Sequence, residues 1–286
     1  SEANRMPFDQ HYDLAIVGGG LAGSALAIAM ARGGSNVLLI ERDAEYRDRV
    51  RGEWLAPWGV TDVRKLDLLD VFEAAGAHIL PAIAGRAGRP LHEETPEGDL
   101  ARTFFHPAVQ QALIEAAEAA GATVARPARV REVTPASDGA NPSLRFDHDG
   151  DSHEVTASLI VGADGRTSLV RTALDHEPVE HRSERMLTGV RLAGVEGDPE
   201  MGYLIVSPEP GGLTALFPQG DGHARVYLFT HEADASAYRG DEGLKHFIDG
   251  IVEIGLPAEV VANATAAGPL AAFSAFRAAF RAALTA

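Results

Sequence analysis

A glycine turn set between two short apolar runs constrains this chain more than anything else in it. Tyr12-Asp-Leu-Ala-Ile-Val17 is nearly continuous in apolar residues, as expected of a strand buried on both faces. Gly18-Gly-Gly-Leu-Ala-Gly23 follows, and an alanine-rich helical stretch from Ser24 to Arg32 ends at Gly33 and Gly34. Asn36-Val-Leu-Leu-Ile40 makes a second strand with Glu41 at its C-terminal end. Strand, turn, helix and strand within about thirty residues is the size of one βαβ unit.

The turn carries chemistry as well as shape. Gly18, Gly20 and Gly23 form a GxGxxG that follows a strand and opens a helix. Such glycines permit a tight turn, let a pyrophosphate approach backbone N–H groups and allow close helix–strand packing. The helix N-terminus adds partial positive charge for the phosphates. Glu41 lies eighteen residues past Gly23, where a carboxylate can accept hydrogen bonds from an adenosine ribose. NAD and FAD fit this unit equally well, and a purely structural turn in another α/β protein is the competing reading.

Composition removes several function classes. The formal charge of −16 argues against a nucleic-acid surface and against polybasic contact with anionic lipid. With no cysteine there are no disulfides, thiol nucleophiles or redox-active disulfide, which excludes the flavin disulfide reductases and suits a reducing cytoplasm. The apolar run Leu21 to Ala31 is too short to span a bilayer, and it lacks the layout of a secretory signal. Ser1 to Arg5, ahead of Met6, is set aside as an appended leader. The histidines show no metal-ligand spacing, and no Gly-x-Ser-x-Gly nucleophile elbow occurs.

Further along, a helix is expected from about Gly59 to Ala75, and loops with short strands from 81 to 103. A second clear helix covers Pro107 to Ala120, with Val109, Leu113, Ala116 and Ala117 on one face and Gly121 as its stop. Residues 128–157 alternate polar and apolar around Ser137-Asp-Gly139 and Asp149-Gly150, the pattern of a small antiparallel meander. Ser158 to Gly162 is another buried strand, Met186 to Thr230 is β-rich, and a helix covers Glu242 to Ile254. The fold class is α/β, with a Rossmann-type nucleotide domain over 10–173, a β-rich substrate domain over 174–270 and an amphipathic helix over 271–286. That last helix rests on Phe273, Phe276, Phe280 and Leu284 at helical spacing.

A second motif separates FAD from NAD. Leu159-Ile-Val-Gly-Ala-Asp-Gly-Arg-Thr-Ser-Leu-Val-Arg171, with Arg51-Gly52-Glu53 and the N-terminal unit, resembles the flavoprotein aromatic hydroxylases, the single-component FAD monooxygenases. The resemblance covers about residues 10–270. It implies FAD as cofactor, reduced NAD(P)H as a transient co-substrate and dioxygen as oxidant, with a small aromatic or polyketide-like substrate hydroxylated. The protein would position and desolvate, since the cofactor carries the difficult chemistry; no catalytic side chain is assigned, and the oligomeric state stays open.

By the same resemblance Gly18, Gly20 and Gly23 sit at the FAD pyrophosphate and Glu41 at its ribose. Arg42 and Arg51 match arginines near the adenosine or pyrophosphate, and Gln110 falls at a flavin-contacting position. Val130 matches a strand position whose backbone meets the adenine, and Asp164 and Gly165 belong to a fingerprint used for FAD and nicotinamide. Each has a plainer competitor. Arg42, Arg47, Arg49 and Arg51 alternate with Glu45, Asp48 and Glu53, as solvated faces do. His106 can simply cap its helix, Trp54 and Trp58 can be core, and Phe217-Pro218 can end a strand rather than face substrate. Replacing Glu41 is expected to weaken FAD binding and spare the fold.

The family's third fingerprint, a Gly-Asp-Ala segment with a following proline, has no match here; Gly268-Pro-Leu270 resembles the strand leading to it. The expectation is therefore poor FAD retention and poor coupled hydroxylation, or a shortened record of a longer enzyme. A FAD-dependent reductase or dehydrogenase on a prenyl or polyketide substrate and a FAD-binding module without turnover are the alternatives. A flavin halogenase is disfavoured by the absence of a Trp-x-Trp-x-Ile-Pro segment.

Overall fold

The computed structural model describes residues 8–85, 90–137, 139–176, 184–208, 212–240 and 242–274. The chain divides into two compact units, one of residues 1–46 and 110–178 and the other of 47–109 and 179–286. Segment 47–109, which a contiguous first domain over 10–173 would include, thus groups with the later half of the chain.

In the first unit, β1 (His11–Val17), helix α1 (Leu21–Arg32) and β2 (Val37–Ile40) form the expected βαβ. Helix α2 (His106–Ala119) begins in the second unit and continues into the first. After it come β3 (Thr123–Ala125), β4 (Ala128–Thr134), β5 (Ser143–His148), β6 (Asp151–Gly162) and helix α3 (Leu169–Ala173). The sheet order is β3-β2-β1-β6-β5-β4. Pairing is parallel from β3 through β6 and antiparallel from β6 to β4, so the meander read from alternation is present. Its second turn is Asp149-Gly150, both at positive φ (50° and 90°), the backbone that matches the twist of a tight hairpin.

Register positions the site. Val17 lies opposite both Ile40 and Gly162, and Ile40 opposite Ala125. Gly18, Glu41, Arg126 and Ala163 therefore follow the carboxyl ends of four adjacent parallel strands, the edge where open α/β sheets take ligands. Leu38, Leu39, Ala15 and Ile16 are fully buried beneath that edge, which explains the continuous apolar runs.

The described residues of the second unit form two sheets. Trp54–Leu55, Ala101–Thr103 and His78–Leu80 make a small one. The larger runs, in order, through Thr265–Ala266, Arg185–Ala193, His223–His231, Gly212–Pro218, Met201–Ser207 and Ala82–Ala84. Helix Gly243–Ile254 buries Phe247, Ile251 and Ile254 in the core cluster that includes Val190, Val226 and Leu228. The single helix expected over 59–75 is two, Pro57–Lys65 and Leu69–Ala74, broken where Asp67 adopts φ 54°.

Residues 271–274 depart from the helix expected over 271–286. Ala271–Ser274 is a strand, antiparallel to Met186–Gly189 on the edge of Arg185–Ala193 that also takes Thr265–Ala266. Extended chain satisfies the open backbone groups of that edge, whereas a helix would leave them unpaired. Phe276, Phe280 and Leu284 lie outside the described residues.

Candidate cofactor site

The three motif glycines answer three different demands. Gly18 has φ +108°, and a Cβ there would fall 2.4 Å from the Ala163 carbonyl oxygen and 2.9 Å from Asp164 Cα. The two sequence motifs therefore touch, and the contact needs glycine. A Cβ on Gly23 would lie 1.9 Å from the Gly18 oxygen, so α1 packs against the turn only without a side chain. Gly20 is different: its φ is an ordinary −72°, and a Cβ would meet nothing within 4 Å. Its glycine leaves open space at the α1 N-terminus. As N-cap, Gly20 offers no side-chain acceptor to the first-turn N–H groups, and that turn holds no acid. An unneutralised helix terminus facing open space fits a diphosphate.

Glu41 is buried, and its carboxylate accepts from Gly19 N–H and Asp43 N–H, each at 2.7 Å. Two acceptor oxygens offer about four lone-pair sites, so capacity for ribose hydroxyls remains. Glu41 thus also fastens the turn, so its loss should cost stability as well as affinity. Asp164 uses Oδ2 to accept from Leu169 N–H at 2.7 Å, helping Ser168 cap α3. Among the described residues its buried Oδ1 has no partner, which leaves an acceptor for a ligand donor. Gly165 follows at φ +82°.

The remaining assignments divide. Arg42 is exposed and pairs with Asp43 at 3.4 Å. Gln110 is half-buried on α2, and Val130 is half-buried on β4 opposite Phe146, packed on the core of the first unit. Arg51 is exposed and belongs to the second unit. Unforeseen in the first unit are Tyr46, which donates to the Gly19 carbonyl at 2.6 Å, and Arg126, whose guanidinium lies 4.1 Å from the Tyr46 ring centroid.

The mixed charge run also contains more than a solvated face. In the second unit the fully buried Arg225 donates through Nε to Glu53 at 2.7 Å and through Nη2 to Asp48 at 2.6 Å. Glu53 further accepts from Gln219 Nε2 at 2.6 Å and from the His106 N–H at 2.9 Å. It is therefore Glu53, not the His106 side chain, that caps α2. Burial, reinforced by the nearby Arg51 charge, pushes the His106 pKa down to about 4. Trp54 stacks on the buried Phe217 at 5.6 Å and belongs to the core, whereas Trp58 is exposed.

A parallel sheet with a glycine turn, a buried acid at the end of the next strand and a second acid-glycine turn at one edge defines a Rossmann-type dinucleotide-binding flavoprotein. The chain matches the FAD binding domain family over residues 11–279 and belongs to it, a family of FAD-dependent oxidoreductases. The resemblance to the aromatic hydroxylases thus holds at the level of family, and FAD is the cofactor. The chain is 30% identical over 230 residues to digeranylgeranylglycerophospholipid reductase of Methanosarcina acetivorans, a match covering 75% of this chain and 53% of that protein. The chain spans about half the length of the curated relatives it matches. Among solved structures, a myxobacterial chondrochloren halogenase superposes with TM-score 0.75 at 22% identity, over 96% of this chain and 67% of that one. Aklavinone-11 hydroxylase, in a complex with FAD and aklavinone, superposes with TM-score 0.71 at 20% identity, over 96% and 56%. These two share the fold. Among the described residues no helix is long and apolar enough to cross a membrane.

Proposed function

We propose that this chain is the FAD-binding and substrate-facing portion of a monooxygenase that hydroxylates an aromatic or polyketide-like small molecule with NAD(P)H and dioxygen. The observation that carries the reading is the contact between the Gly18 turn and Ala163-Asp164, which joins both fingerprints of the aromatic-hydroxylase pattern at one sheet edge. Gly18, Gly20 and Gly23 with the α1 N-terminus would hold the diphosphate, Glu41 the ribose and Asp164 a hydroxyl donor. Arg42, Gln110, Val130, Gly165 and Arg51 remain candidate contacts from the resemblance. When bound, FAD supplies the electron transfer and oxygen activation. The protein's own residues bind it, orient it and keep water from it. One FAD site of this type occupies the turn, so NAD(P)H is read as a transient visitor.

A second reading has its own support. The relative from Methanosarcina acetivorans is a reductase of a prenyl lipid, and its match covers three quarters of this chain. A FAD-dependent reductase would consume NAD(P)H and saturate a double bond without taking up dioxygen. A FAD-binding module without efficient turnover is the remaining alternative. The deciding experiment follows the flavin spectrum, NAD(P)H oxidation and dioxygen uptake together, with aromatic and prenyl substrates in turn. Substrate-dependent dioxygen uptake matched to NAD(P)H supports hydroxylation. Anaerobic saturation of a prenyl chain replaces it with reduction.

A further inference from the structure

We propose that Tyr46 and Arg126 are positioning residues of the cofactor site, a stacked pair that sets the direction of the Gly20 N–H toward the pyrophosphate. The inference rests on the FAD-binding reading of the glycine turn and adds residues that the motifs do not contain.

One peptide plane joins Gly19 to Gly20. The Gly19 carbonyl and the Gly20 N–H belong to the same trans peptide, so they point in opposite directions and move together. Tyr46 Oη donates to the Gly19 carbonyl at 2.6 Å, and Ser24 Oγ donates to it at 3.1 Å. The N–H of Gly19 is held separately by Glu41 at 2.7 Å. Both peptides around Gly19 are therefore fixed by side chains. The Gly20 N–H is directed away from Tyr46 and Ser24. Gly20 is the glycine whose missing Cβ borders open space. Crowding on the other side supports this: a Cβ on Gly19 would lie 2.9 Å from Glu41 Cβ and 3.0 Å from Tyr46 Oη.

Tyr46 is in turn held by Arg126, whose guanidinium carbon stands 4.1 Å from the ring centroid. Arg126 follows β3, on the same sheet edge as Glu41, and is anchored through Nε to the Asp43 carbonyl and through Nη1 to Gln111 Oε1, both at 2.8 Å. Burial and the neighbouring Glu41 raise the Tyr46 pKa, so the phenol stays a donor at working pH. The pair thus orders a phosphate donor before the ligand arrives, and binding loses little to ordering it.

Tyr46→Phe tests this with the ring kept and the hydroxyl removed. If the turn then spends only a tenth to a third of its time competent, affinity falls by about three- to tenfold. Calorimetric titration with FAD, ADP and adenosine should show that loss for FAD and ADP and none for adenosine, which has no diphosphate. Arg126→Lys, which retains charge but not both anchors, should reproduce the pattern and guards against a Tyr46 variant that fails to fold. Unchanged FAD and ADP affinities in either folded variant overturn the inference. So does an equal loss for adenosine, which would make the pair an adenosine contact or a general scaffold. A parent chain that binds neither FAD nor ADP overturns the cofactor assignment of the turn and the inference with it.

Discussion

Glu53→Ala is the substitution whose cost the structure most clearly bounds. The Glu53 carboxylate is 1% exposed and Arg225 is fully buried, so neither charge can turn to water when its partner is lost. Removing the carboxylate strands Arg225 Nε and takes away acceptors for Gln219 Nε2 and the His106 N–H, while Asp48 keeps only Arg225 Nη2. Breaking a buried pair in this way costs about 3–5 kcal/mol, because the remaining charge is left uncompensated. For domains of 150–250 residues each kcal/mol moves Tm by roughly 2–4 °C, so a fall of about 10 °C is expected. Thermal and urea unfolding, followed by near-ultraviolet circular dichroism, would measure it. Replacing the whole set with Glu53→Leu, Arg225→Met and Asp48→Asn should recover most of the loss, because no charge is then stranded. A loss below about 1 kcal/mol for Glu53→Ala, in the range of an exposed ion pair, would refute the reasoning.

Gly20→Ala should leave Tm nearly unchanged yet abolish measurable FAD binding, whereas Gly23→Ala should unfold the first unit, because its Cβ would fall 1.9 Å from the Gly18 oxygen; melting curves with and without FAD separate the two. Glu41→Ala should lower both Tm and FAD affinity, the latter by roughly tenfold to a hundredfold for a lost charged hydrogen bond, and flavin titration of apoprotein reads it. His106 titrates at about 4 in the fold against 6.5 in the unfolded chain, so the unfolded state takes the proton first. Stability from His106 is therefore complete above pH 6.5 and declines as pH falls toward 4, by about 3 kcal/mol at most; His106→Asn should flatten that part of the stability–pH curve.

What could be read from the sequence was set by how local its cause is. Gly23 is legible because the Gly18 carbonyl five residues earlier admits no side chain, and Gly18 because the chain reverses there directly after a strand at φ +108°. Glu41 is legible as a carboxylate at a strand end, but its grip on Gly19 N–H depends on how the turn closes. The meander was visible because its alternation and its Asp149-Gly150 turn are neighbours in sequence. Residues 271–274 carry the start of a helical spacing, while the partner that makes them a strand, Met186–Gly189, lies more than eighty residues earlier. Tyr46 and Arg126 gave no signal, since a single aromatic in a charged loop and a single arginine after a strand are ordinary until the sheet aligns them.

The run from Arg42 to Glu53 makes the same point in its sharpest form. Alternating charges read as a solvated face, and for Arg42, Arg47, Arg49 and Arg51 the side of the run that faces water is real. Asp48 and Glu53 instead turn inward to an arginine 177 and 172 residues away, which supplies the charge that makes their burial tolerable. A buried carboxylate without that partner would shift its pKa or unfold its surroundings. Arg225 without both acids would be worse placed still, since its Nη1 already lacks a partner among the described residues. Loss of any one of the three therefore leaves a buried group of the other two uncompensated. In the Arg51-Gly52-Glu53 motif, then, the glutamate is held by the architecture of the second unit, where it caps α2 and neutralises Arg225. Arg51, the first residue of that motif, is exposed.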